Sequence, residues 1–246
     1  MTIRLPFFLA VALALSGCGL WPFSHRNTAT QAPQQQRLVR VDWYGYQCFR
    51  IKSALGISIL TNPFAPNSTD FTPPKNLTPE LILSTTESAD ANYVDLVDNT
   101  PHILRSSVGV GTNTSSGIRI LGVPIFKNPA TQDIAGMNVI YRWTMDNLKF
   151  CFLGELQTVP SPQDLDRLGN VDVLFIPVSE TDLSATQRQQ IIQALRPQVI
   201  VPMGRLSDMN RFAAGYSAVY RLNGTAALLS REALPAVQTV LLFRAP

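Results

Sequence analysis

The feature that most constrains this chain is a series of short apolar runs between residues 38 and 243, separated by turn residues. Runs of about four to eight residues are typical of strands, because stable helices need about 10 to 12. Residues 38–43 alternate apolar and polar side chains, as a half-buried strand does. Residues 171–178 and 199–203 are almost wholly apolar, which is typical of strands covered on both faces. The sequence therefore predicts a protein built mainly on sheets.

Two halves of the chain repeat the same order of predicted elements. Each half opens with a meander of strands and continues with alternating strands and helices. The predicted strands cover residues 38–43, 48–52, 56–60, 81–83, 118–123, 137–143, 148–153, 171–178, 199–203 and 237–243. The predicted helices cover residues 89–98, 161–169 and 184–196, and the last two begin at a serine N-cap. This order predicts an α/β fold, a four-layer αββα sandwich with two similar halves.

The composition excludes several classes of protein. With 246 residues, 46% of them hydrophobic and 15% charged, the chain is long and apolar enough to bury a sizeable core. Lysine and arginine are scattered, so no nucleic-acid partner is expected. The chain has only three cysteines and two histidines, and no Cys-x-x-Cys pair. The sequence therefore argues against a thiolate zinc site and against a redox motif.

The first 18 residues have the pattern of an export signal. Arg4 precedes an apolar run over residues 5–15, and Ser16 and Gly17 precede Cys18. The run is shorter than the roughly 20 apolar residues that span a bilayer. The ending resembles the lipobox of bacterial lipoproteins, which implies cleavage before Cys18 and acylation of its thiol. The alternative is an ordinary signal peptide with an unrelated cysteine.

This resemblance predicts three regions and a location. Residues 1–17 would be a lipoprotein signal peptide, residues 18–36 the lipidated Cys18 and a flexible tether, and residues 37–246 one folded domain. The protein is then expected in the bacterial cell envelope, with the membrane as a partner through its lipid anchor. Gly19 in place of the aspartate that favours inner-membrane retention implies the outer membrane in a Gram-negative host.

Several segments resemble the metallo-β-lactamase superfamily, in particular its branch of L-ascorbate-6-phosphate lactonase-like hydrolases. They follow the family order over about residues 38–205, and the matching segments are 43–51, 59–64, 154–155, 171–178 and 196–203. The resemblance implies the same αββα fold. It also implies metal-assisted hydrolysis, in which histidines and carboxylates hold zinc or manganese and activate a water molecule.

The family's ligand positions have changed in this chain. The positions of this degenerate site are Tyr46, Asn62, Thr86, Ser88, Asp90, Ala91, Lys127, Glu155 and Gly204. Only Asp90 and Glu155 keep a carboxylate, and His102 matches no ligand position. A catalytic zinc needs about three strong protein ligands, so we expect no metal cofactor and no confidently assigned catalytic residue. The alternative is one divalent metal held by Asp90 and Glu155.

Three functions follow from these observations. The first is an envelope lipoprotein whose degenerate hydrolase domain is non-catalytic and binds an envelope protein or a small molecule. The second is a metal-dependent hydrolase of the lactonase-like type with an atypical carboxylate site. The third is a structural lipoprotein whose cleft has no activity.

Two smaller hypotheses concern single side chains. Lys127 would pair with Asp90 or Glu155 and replace the charge of the lost metal, or it is a solvated loop lysine. Cys48 and Cys151 would be two buried thiols, or would form a disulfide after export.

Overall fold

Two mixed β-sheets packed against each other form the domain in the computed structural model, which describes residues 37–128 and 130–246. The predicted signal peptide, Cys18 and tether lie outside the described residues. The strands are β1 (Val39–Gly45), β2 (Cys48–Lys52), β3 (Ser58–Thr61), β4 (Leu81–Leu83), β5 (His102–Leu104), β6 (Gly111–Ser115), β7 (Ile118–Phe126), β8 (Met137–Met145), β9 (Leu148–Phe152), β10 (Val173–Pro177), β11 (Val199–Met203), β12 (Val219–Arg221), β13 (Ala226–Leu229) and β14 (Thr239–Leu242). The α-helices are α1 (Ser106–Gly109), α2 (Pro162–Leu168), α3 (Ala185–Leu195) and α4 (Leu206–Ala213).

The two sheets repeat one topology, as the order of predicted elements indicates. The first has the order β13-β1-β2-β3-β4-β5 and the second the order β12-β14-β11-β10-β9-β8-β7-β6. In the first, an antiparallel meander from β1 to β3 is followed by parallel pairing of β3, β4 and β5. In the second, an antiparallel meander from β6 to β9 is followed by parallel pairing of β9, β10 and β11. The predicted α/β sandwich is confirmed.

Aromatic side chains join the two sheets across the core. The Phe49 ring from β2 meets the Phe175 ring from β10 edge to face, with centroids 4.9 Å apart. Trp43 from β1 packs against Phe243, which follows β14, at 6.3 Å between centroids. All four side chains are buried, and pairs with this geometry add about 0.5–1.5 kcal/mol each beyond the burial of their area.

The predicted caps of α2 and α3 are confirmed. The Ser161 side chain accepts a hydrogen bond from the backbone nitrogen of Asp164, and Gly169 ends α2 with φ of 61°. Ser184 and Gln187 form a reciprocal capping box at the start of α3. In the part of the chain that the structure describes, no helix has the length and apolar character needed to cross a membrane.

The helix predicted over residues 89–98 is wrong. Only Val94–Leu96 forms a single 3-10 turn. The backbone nitrogen of Tyr93 donates to the carbonyl of Pro63, and the carbonyl of Ala89 accepts from the nitrogen of Ala65. The backbone groups of this segment therefore form hydrogen bonds with the neighbouring loop, whereas an α-helix would have paired them within itself.

Several short elements were not predicted: β5, β6, β12, β13 and α4. The strand β6 reads Gly-Thr-Asn-Thr-Ser and has no apolar face for a sequence pattern to reveal. The strand β13 returns from the second half of the chain to pair with β1 in the first sheet. Such a crossing between halves depends on long-range pairing that local sequence does not encode.

Candidate functional site

One edge of the two sheets collects the degenerate site positions. Thr86 and Ser88 follow the end of β4, and Glu155 follows the end of β9. Asp182 follows β10, and Gly204 follows β11. Because carboxyl ends of parallel strands meet at one edge of a sheet, these loops converge, as in other α/β proteins that bind ligands there.

Hydroxyl groups from the first half bind a carboxylate from the second. Thr86 Oγ1 donates to Glu155 Oε2 at 2.7 Å, and Ser88 Oγ donates to the same oxygen at 3.0 Å. The two hydroxyl oxygens lie 2.7 Å apart. The backbone nitrogen of Glu155 donates to Asn138 Oδ1 at 2.9 Å, which orients the loop after β9. Three of the predicted positions are therefore joined in one hydrogen-bonded cluster.

Asp90 completes this cluster on its other side. Its carboxyl lies within hydrogen-bonding reach of the Glu155 carboxyl. Burial, and after it the negative charge of Asp90, raises the pKa of Glu155 to about 7, although the hydroxyls of Thr86 and Ser88 favour its charged form. The protonated form of Glu155 is therefore favoured to a higher pH than that of an ordinary glutamate.

A buried amide network holds the loop beneath this cluster. Asn62 is fully buried, and its Nδ2 donates to Gln47 Oε1 at 2.8 Å and to Thr85 Oγ1 at 2.9 Å. The backbone nitrogen of Thr85 donates back to Asn62 Oδ1 at 2.9 Å. Gly154 packs so closely that a Cβ there would overlap the Thr85 side chain. Asn62 is therefore a positioning residue, and it makes no contact with the carboxylates.

Tyr46 lies where the first and second sheets meet at this edge. Its backbone forms an isolated antiparallel bridge with Gly204. Burial raises the pKa of the Tyr46 phenol, and the charges of Asp90, Glu155 and Asp182 raise it further. The phenol therefore stays neutral and faces a group of carboxylates.

Two clefts open on either side of these residues. The first, which we call the Glu155 cleft, has a volume of about 400 Å³, and its walls include Thr86, Ser88, Lys127, Asn138 and Glu155. The second, which we call the Tyr46 cleft, also has about 400 Å³, and its polar walls include Tyr46, Gln47, Asp70, Asp90, Asp182, Gly204, Arg205 and Asp208. The degenerate site is thus divided between two clefts, with Asp90 and Glu155 in contact between them.

The remaining predicted positions have simpler surroundings. The Lys127 side chain is exposed on the wall of the Glu155 cleft. Over residues 37–128 and 130–246, no ion pair within 4.0 Å joins Lys127 to Asp90 or Glu155, so no direct contact supports its role as a substitute charge. Ala91 is buried and offers no ligand atom. His102 begins β5 and pairs with Leu81, away from the site.

The residues present do not fit the metal centre that the resemblance implies. The donor set is two carboxyls and two hydroxyls, and the carboxyl of Glu155 is already bound by both hydroxyls. Within the described residues, no three histidine, cysteine or acidic side chains are arranged to hold one metal ion. A catalytic zinc site uses about three strong ligands, and this donor set does not supply them.

Sequence reasoning missed Gln47 and Asp182. Gln47 is 1% exposed and lines the Tyr46 cleft, and Asp182 lines it from the loop after β10. Burial raises the pKa of Asp182 to about 6, Arg188 opposes this shift, and Asp90 and Asp208 add to it. The only available signal for Asp182 was its position a few residues after a predicted strand, which many loop residues share.

Both described cysteines are free and buried. Burial raises the pKa of the Cys48 thiol, and it raises the pKa of Cys151 to about 12. The interpretation as two buried thiols therefore agrees with the structure, in which no disulfide joins them.

Comparison with known proteins identifies the family. A family model described as a beta-lactamase superfamily domain matches residues 40–204. A comparison with curated proteins finds no match.

Solved structures share the fold. A metallo-beta-lactamase superfamily protein from Thermotoga maritima aligns with a TM-score of 0.68 and 23% identity, over 85% of this chain and 100% of that chain. Igni18, a metallo hydrolase from Ignicoccus hospitalis, aligns with a TM-score of 0.51 and 18% identity, over 72% and 90%. The metallo-beta-lactamase fold protein YhfI from Bacillus subtilis aligns with a TM-score of 0.52 and 7% identity, over 85% and 98%. At these identities the likeness establishes the fold alone.

Proposed function

The chain belongs to the metallo-β-lactamase superfamily, and from this premise we propose that it is an envelope lipoprotein whose hydrolase-like domain binds a ligand or a protein partner without catalysis. The observation that carries the proposal is the cluster of Thr86, Ser88 and Glu155. Hydroxyls at two positions that the resemblance assigns to the family's histidines donate to the carboxylate of Glu155.

This cluster is a self-contained polar network. Each hydroxyl has an acceptor, and the raised pKa of Glu155 favours its neutral form, which reduces the repulsion from Asp90 that a divalent metal would otherwise offset. The clefts on either side remain available to a ligand.

The envelope location rests on the sequence of residues 1–18. The small residues before Cys18 support lipidation of this thiol, and the membrane is then the first partner. We expect radioactive palmitate to label the full-length protein in a bacterial host and Cys18→Ser to remove the label and the protein from the membrane fraction. Labelling that persists in Cys18→Ser would contradict this part of the proposal.

Metal content tests the non-catalytic part. The full-length protein in detergent is offered Zn²⁺ and Mn²⁺, dialysed, and measured by elemental mass spectrometry. We expect less than about 0.1 equivalent of either metal, because the donor set lacks the roughly three strong ligands of a catalytic site.

One observation favours the alternative, a metal-dependent hydrolase of the lactonase-like type. Asp90 and Glu155 are in contact, and two close carboxyls could become ligands for one divalent metal once both are ionised. About one equivalent of metal that is lost in Asp90→Ala and in Glu155→Ala but kept in the matched surface variant Asp166→Asn would establish that alternative. Lactone and phosphoester substrates would then be screened.

A further inference from the structure

The Tyr46 cleft carries an imbalance of charge. Asp90 and Asp182 line it, and Glu155 touches Asp90 from behind. Over the described part of the chain, none of these three carboxyls forms an ion pair within 4.0 Å.

Two of the nearby cations are already paired with other carboxylates. Arg205 pairs with Asp70 at 3.0 Å at the rim of the cleft, and Arg211 pairs with Asp208 at 3.3 Å. Arg188 forms no ion pair within 4.0 Å among the described residues, and its charge offsets part of that of Asp182 from a longer distance, while the carboxyls of Asp90 and Glu155 have no such partner. The cleft therefore favours a positively charged occupant.

A buried amide in the same cleft supplies an independent observation. Gln47 is 1% exposed, and its oxygen accepts from Asn62. No hydrogen bond from Gln47 Nε2 to another described residue accompanies that contact. This nitrogen is not among the fully buried polar atoms without a partner, so it is open to the cleft that Gln47 lines. Gln47 therefore offers a donor to an occupant of the cleft that carries an acceptor atom.

The size and walls of the cleft indicate an organic molecule. A volume of about 400 Å³ lies within the range of small-molecule sites and is far larger than a single ion requires. Within the described residues, no group of three histidine, cysteine or acidic side chains could hold one metal ion. Tyr46 and Phe71 add aromatic surface, which attracts organic cations.

We propose that the Tyr46 cleft binds a small polar molecule that carries a protonated amine. The ammonium group lies between Asp90 and Asp182, and an acceptor atom of the molecule takes a hydrogen bond from Gln47 Nε2. This inference rests on the proposed function, because it requires a cleft that is free of a catalytic metal.

Calorimetric titration of the full-length protein in detergent near neutral pH tests this inference. The probes are glucosamine, which has an ammonium group and acceptor oxygens, glucose, which lacks the charge, and cyclohexylamine, which lacks the acceptors. We expect glucosamine to bind more tightly than cyclohexylamine, and glucose to give no measurable heat. Asp90→Asn and Asp182→Asn should each weaken glucosamine binding about tenfold or more, and Asp166→Asn should leave it unchanged.

The outcomes separate this inference from the proposed function. Failure of both amines to bind a folded protein would overturn the ligand class, as would glucose binding as tightly as glucosamine. Cyclohexylamine binding at least as tightly as glucosamine would overturn the role of Gln47. Metal content measured on the same preparation tests the proposed function independently, so a metal-free sample that ignores both amines refutes the ligand class alone.

Discussion

Replacing Asn62 by alanine tests the network beneath the site. The change removes three hydrogen bonds, with Gln47 Oε1, Thr85 Oγ1 and the backbone nitrogen of Thr85. The Thr85 hydroxyl, the Thr85 nitrogen and the Gln47 oxygen are then left buried without these partners. Each such group costs about 1–3 kcal/mol, and a water molecule in the vacated space would keep the sum near the lower end.

The backbone adds a smaller cost that can be measured separately. Asn62 has a φ of 36°, a conformation that asparagine tolerates better than alanine. Asn67 has a φ of 65° on an exposed loop, so Asn67→Ala carries the backbone cost of about 1 kcal/mol alone. We expect Asn62→Ala to lower the free energy of unfolding by about 3 kcal/mol or more.

Urea unfolding of both variants, followed by tryptophan fluorescence, measures the difference. For a slope of about 2–3 kcal/mol per molar urea, the expected loss in Asn62→Ala lowers the midpoint by about 1 M or more. A loss in Asn62→Ala no larger than that in Asn67→Ala would refute the reasoning, because the three buried hydrogen bonds would then contribute nothing.

Three further predictions concern pH, packing and capping. The pKa of Glu155 is raised from its usual value to about 7, so the folded protein holds a proton that the unfolded chain releases near pH 4.5. The contribution of Glu155 to the free energy of unfolding should therefore fall as pH rises from about 4.5 to 7. Urea unfolding across this pH range should show a smaller decline for Glu155→Gln, and an unchanged slope would contradict the assignment. Gly154→Ala places a Cβ against Thr85 at a φ of 61° and should lower the free energy of unfolding by about 2–4 kcal/mol. The control Gly224→Ala, whose Cβ would meet no atom within 4 Å, should lower it by under about 1 kcal/mol. Equal melting temperatures of the two variants would argue against the close packing at Gly154. Ser184→Ala removes the capping box of α3 and should cost about 1 kcal/mol by urea unfolding, and a neutral result would mean that the cap contributes no stability.

Much of the fold was predictable because local patterns of apolar residues and helix caps indicate its strands and helices. Alternating or continuous apolar runs marked β1, β2, β8, β10 and β11, and serine N-caps marked α2 and α3. The pattern failed over residues 89–98, where the backbone of Ala89 and Tyr93 bonds to the loop of Pro63 and Ala65. It also failed for the edge strand β6, whose polar sequence leaves no periodic signal, and for β5, β12 and β13, which are only three or four residues long.

The site was predictable only in part. The order of the segments that resemble the family indicated Thr86, Ser88, Asp90 and Glu155 as site residues. The structure brings these side chains together. Motif order could not reveal Gln47 or Asp182, because neither lies at a position where the family's ligands are found. Their relevance comes from the cleft they share with Asp90.

The sequence by itself determined the class of fold and the helix caps, since these depend on periodicity and neighbouring residues, and it supplies the prediction that the family's histidines are replaced. The tertiary structure alone decided which charges meet. Thr86 and Glu155 lie 69 residues apart in the chain, yet they bond because two sheets end at one edge. The raised pKa of Glu155 and the unpaired carboxyls of the Tyr46 cleft follow from that packing, because burial and proximity between distant segments exist only in the folded chain.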